Sequence, residues 1–124
     1  MKLYELRLPA EVVELEKQLD NLMRPVGLDV EFSRHFVERI LGRERRITID
    51  EVVSAFAKLK AKFKKRLLSA KKKPRYEAIL KDFSNDLNIV FGISGGELTN
   101  ITIKRKDPNS FHTNAQGGDE LKVQ

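Results

Sequence analysis

The apolar residues change period at Pro74, and this constrains the fold more than any other feature of the chain. Before it, Val52, Phe56, Leu59, Phe63 and Leu67 recur at helical spacing; after it, Leu87, Ile89, Phe91 and Ile93 alternate. Helices gathered upstream of an alternating region predict an α+β domain with the helices on one face of an antiparallel meander. At 124 residues the chain suits one domain.

Local signals place the upstream elements. Val12, Leu15, Leu19 and Leu22, widened by Val13 and Met23, form a helical stripe between Pro9 and the Pro25/Gly27 stop, with Glu11, Glu14 and Glu16 at the positive end. Residues 1–27 therefore read as an N-terminal helical arm, 28–107 as the α+β domain and 108–124 as a polar tail. Leu28, Val30 and Phe32 alternate as one strand. Ser33 then caps a short helix through Phe36, Val37, Ile40 and Leu41, closed by Gly42. Thr48-x-x-Glu51 is a capping box, flanked by Ile47 and Val52 as a hydrophobic staple, and opens the long helix.

Downstream, Tyr76–Phe83, Leu87–Ile93 and Leu98–Lys106 read as three strands joined by turns at Ser84-Asn85-Asp86 and Ser94-Gly95-Gly96. Alternation places Thr99, Ile101 and Ile103 on one face of the third strand. Leu121 and Val123 are candidates for a short edge strand. Phe83 and Phe91 read as core aromatics, with stacking platforms for bases as the alternative.

Charge is unevenly spread. Residues 52–106 hold 14 Lys/Arg against 4 Asp/Glu, within a chain of net charge +6. No acid occurs from Val52 to Tyr76, a window holding Lys58, Lys60, Lys62, Lys64, Lys65, Arg66, Lys71, Lys72, Lys73 and Arg75. Such a cationic stretch attracts polyanions, or it is a solvated helix face. Lys58, Lys62, Lys65, Arg66, Lys72, Arg75 and Lys106 are the candidate nucleic-acid contacts. Cysteine is absent and only His35 and His112 are present, so thiolate chemistry is excluded and a metal site is not expected. No dinucleotide, phosphate-loop or metalloprotease motif occurs, and no cofactor is expected. No run of about 18 apolar residues suggests a membrane span.

Phe32-Ser33-Arg34-His35-Phe36-Val37-Glu38-Arg39 carries a strand into a helix bearing a His-x-x-x-Arg pair. Ile47-Thr48-Ile49-Asp50-Glu51-Val52 opens the next helix, and Ile101-Thr102-Ile103-Lys104-Arg105-Lys106 ends the sheet. This order resembles the RelE/ParE-type toxin fold, and more broadly the barnase/colicin/RelE-like nuclease group with its small phage-encoded members. It differs from the toxins in the arm over residues 8–24 and in carrying only His112 in the polar tail. The resemblance implies metal-independent RNA cleavage, RNA rather than DNA as the partner, and a cytoplasmic location (the host cytoplasm or a virion for a phage-encoded member). It also admits a non-catalytic structural or nucleic-acid-binding relative.

RNA transesterification needs a base, an acid and cations around the phosphorane. His35 and Arg39 share a helix face at spacing four, and Lys104 ends the last meander strand. With His112 they form the candidate catalytic set. The competing readings are a structural histidine with Arg39 paired to Glu38 or Glu31, and lysines that protect a sheet edge. The stripe Val12, Leu15, Leu19, Leu22 either packs on the domain or docks a protein partner.

Overall fold

The computed structural model describes residues 10–42, 47–111 and 118–124. Helix α1 spans Ala10–Met23, strand β1 Asp29–Phe32, helix α2 Arg34–Leu41 and helix α3 Ile49–Ala70; strands β2 to β5 span Tyr76–Asp82, Leu87–Ser94, Glu97–Arg105 and Asp119–Val123. The domain is α+β, as the change of period predicts. The five strands form one mixed sheet in the order β1-β4-β3-β2-β5. The meander β2-β3-β4 is antiparallel, while β1 joins β4 and β5 joins β2 in parallel.

The start signals act as chemistry requires. Ser33 Oγ accepts from the Phe36 amide, and Thr48 and Glu51 satisfy each other's amides in a complete capping box. Gly95 and Gly96 take positive φ (58° and 81°) in the β3–β4 turn. Gly42 closes α2, its amide donating a hydrogen bond to the Arg39 carbonyl, but at φ −62°, not in the left-handed form.

All three helices contribute to one core. Val12, Leu15, Leu19 and Met23 of α1, Phe36 and Val37 of α2, and Val52, Phe56, Leu59 and Leu67 of α3 join the inward residues of the sheet. This corrects two expectations. The N-terminal helix is not a separate arm; of the two readings of its stripe, packing on the domain is the one observed, with Val12, Leu15 and Leu19 buried and Leu22 packed against the same cluster. Nor is the C-terminal segment all loose tail, since Leu121 and Val123 are buried in β5, the short edge strand. A second, smaller cluster of Ile79, Val90 and Phe111 lies apart from this core.

A bulge in β4 overturns a third expectation. Phe91 pairs with Asn100 but Val90 with Thr102, so Ile101 is an extra residue. Leu98 and Ile103 therefore face the core, while Thr99 and Ile101 line the outer surface beside Gly92. The bulge lies where β1 ends and α2 begins. The Ser33 amide donates to Asn100 O at 2.9 Å and Ser33 Oγ to Ile101 O at 2.6 Å. Helix α2 then packs on β4. Among the described residues, no helix is long and apolar enough to cross a membrane.

Candidate nucleic-acid interface

The basic window lies mainly on the second half of α3. At Phe63 the backbone leaves helical values (φ −120°, ψ 25°), which kinks the helix. The Phe63 ring is half-buried, with Lys62 Nζ 5.3 Å and Arg66 Cζ 5.8 Å from its centroid. An open cleft of about 730 Å³ forms here, lined by Lys62, Lys64, Lys65, Arg66, Lys73 and Asp119. Lys73 Nζ lies 5.3 Å from the ring centroid of Tyr76. Such contacts fix a cation beside an aromatic face without neutralising it.

Internal bonding divides the candidate cations. Lys58 pairs with the fully buried Asp82 at 2.9 Å, and Arg75 with Glu77 at 2.6 Å. Lys62 donates to the Lys122 carbonyl at 2.9 Å, and Arg66 reaches Asp119 at 3.4 Å. Lys58, Lys62 and Arg66, at spacing four, thus tie α3 to the β2–β5 side of the sheet. Lys64, Lys65 and Lys72 are exposed, and their ammonium groups make no hydrogen bond or ion pair among the described residues. The structure therefore brings Lys62, Lys65 and Arg66 together in the cleft. Lys58 and Arg75 are engaged with acids, and Lys106 lies past the end of β4. Lys64 and Lys73 join the cleft although sequence reasoning did not select them. Their signal was membership of the acid-free window, but direction around the kink was not readable.

Asp119 sits against this cationic wall. Its Oδ2 accepts from the Tyr76 hydroxyl at 2.8 Å as well as from Arg66. Burial pushes the Tyr76 hydroxyl well above the usual tyrosine range, and the bond to Asp119 pushes it further.

The candidate catalytic set is placed differently. His35 and Arg39 are exposed on α2, and Arg39 Nε donates to His35 Nε2 at 3.4 Å. Arg34, not Arg39, pairs with Glu38, at 3.4 Å. Among the described residues, no hydrogen bond or ion pair joins Lys104 to either. Lys104 is exposed and pairs with Asn88 of β3, but it lies beyond Glu97–Asn100, the part of β4 that β1 covers, so the reading of an edge lysine stands. Its neighbour Arg105 turns to the other face, with Nη2 2.7 Å from both Glu51 oxygens. His112 lies outside the described residues. Phe91 is core, fully buried against Phe56, and Phe83 is half-buried.

No family model, curated protein or solved structure matches this chain.

Proposed function

We propose that the protein is a nucleic-acid-binding domain that grips phosphates along the second half of α3. The observation that carries this reading is the open cleft lined by Lys62, Lys64, Lys65, Arg66 and Lys73, with Lys62 and Arg66 beside the half-buried Phe63 ring. Phosphates supply a counter-charge to Lys62, Lys64, Lys65 and Lys73, which have no carboxylate partner among the described residues, and Arg66 can meet a phosphate through two parallel N–H groups. Single-stranded RNA is the favoured partner, consistent with the likeness to the RelE-type nuclease group and with an aromatic ring beside the cations.

Fluorescence anisotropy with a labelled oligouridylate tests it. Five phosphate contacts on a single strand give a log–log salt slope of about −3.5. Exchanging Lys64 and Lys65 for Glu should abolish binding while the circular dichroism spectrum and melting temperature hold, because neither ammonium group is bonded internally among the described residues. Absence of wild-type binding at about 50 mM salt, where screening is weak, removes the reading.

Metal-independent RNA cleavage on a RelE-like scaffold is the second reading, and the adjacency of His35 and Arg39 is what favours it. Its weakness is also geometric. The Arg39 N–H takes the Nε2 lone pair, so His35 must break that bond before Nε2 can accept a proton. If cleavage occurs, His35→Ala should lower it by about 10²–10⁴-fold without changing affinity. Equal cleavage by both proteins, or intact RNA with the wild type, leaves binding alone.

A further inference from the structure

Within the cationic wall of the cleft stands one carboxylate, and its two bonds are unequal. Asp119 Oδ2 holds the Tyr76 hydroxyl at 2.8 Å and Arg66 Nη1 at 3.4 Å. The ion pair is half-exposed on both sides, with side-chain exposures of 50% for Arg66 and 43% for Asp119. A long, solvated pair of this kind holds weakly. We propose that Asp119 is a built-in competitor anion, which occupies Arg66 in the free protein and yields it to an incoming phosphate.

The proposal rests on the reading of the cleft as a nucleic-acid site. The exchange is easy because Asp119 is not orphaned by it: the Tyr76 hydroxyl continues to donate to its carboxylate after Arg66 leaves. The phosphate, in turn, offers Arg66 two acceptor oxygens where Asp119 uses one. Asp119 therefore sets the affinity of the site and discriminates against isolated anions, which gain only this one exchange, in favour of polyanions that also engage Lys64 and Lys65.

Three variants separate this from a general effect of charge. Asp119→Asn keeps an acceptor for Tyr76 but no longer competes, so oligouridylate should bind three- to fivefold more tightly. Glu120→Gln makes the same change in net charge one residue away. Successive strand residues point to opposite faces, and Glu120 pairs with Lys81, so affinity should stay within twofold of the wild type. Tyr76→Phe strands Asp119 when Arg66 departs, so binding should weaken two- to threefold. Opposite shifts for Asp119→Asn and Tyr76→Phe, with Glu120→Gln unchanged, support the competitor. An unchanged Asp119→Asn, or an equal gain in Glu120→Gln, overturns it while leaving the site itself intact. If neither wild type nor Asp119→Asn binds, the reading of the cleft fails with it.

Discussion

Glu51 closes two structures at once. Its Oε1 accepts from the Thr48 amide at 3.0 Å and so completes the cap of α3, and both its oxygens hold Arg105 at the far end of β4. Burial alone would raise its carboxyl above the ordinary 4.5. The hydrogen bonds from Arg105 and Thr48, with the Arg105 charge, outweigh burial and hold it lower. A carboxyl depressed in the folded state contributes its full stabilisation above its unfolded value and loses it as pH falls through the folded one. Glu51→Gln should therefore cost about 2 kcal/mol at neutral pH. Its deficit in thermal melts should hold from pH 7 to about pH 5 and shrink below about pH 4.5. A deficit that persists undiminished at about pH 3 would show that the pair is not what Glu51 contributes.

Helix α3 puts its basic residues to two uses, and composition cannot separate them. Lys58 and Lys65 belong to one acid-free window. The first reaches the fully buried Asp82, which also accepts from the Ser84 amide and Asn85 Nδ2, whereas the second reaches solvent. Lys58→Met should lower stability by about 2 kcal/mol, because a buried carboxylate loses its cation. RNA affinity should hardly move. Lys65→Met should do the reverse, and chemical denaturation beside anisotropy reads both. The same difference in legibility runs through the other elements. The Thr48 box and the Ser33 cap were readable because capping depends on neighbours three residues apart. The stripe of α1 was readable as a stripe, but a docking helix and a core helix share its period. Only the packing of Val12, Leu15 and Leu19 into the common cluster decides between them. The Ile101 bulge left no local mark, since one extra residue in a run of alternating residues shifts the faces without altering composition.

At the scale of the whole molecule, sheet order was the part hidden from the sequence. Hairpins made β2-β3-β4 legible through their short turns, but both parallel edges are long-range pairings that no local signal specifies. The consequence is largest for β5. This strand covers the edge of β2, with Leu80 opposite Leu121 and Asp82 opposite Val123. It buries Leu121 and Val123, and through Glu120 it supplies an ion pair at 2.7 Å to Lys81, whose side chain is only 4% exposed. Ending the chain before Gly118 removes all three contributions and bares β2, a central strand whose residues are nearly all buried. Hydrogen-bonding groups along such an edge recruit other strands. The truncated protein should melt well below the full chain and should self-associate as concentration rises, which sedimentation velocity would detect. Loss of two buried aliphatic side chains alone predicts about 4 kcal/mol or more, a large share of the stability of a domain this size. A truncated chain that stays monomeric and melts with the wild type would mean that β5 merely rests on the sheet. The cleft would then have to be held by α3 and Lys73, since Asp119 and the Lys122 carbonyl belong to the removed segment.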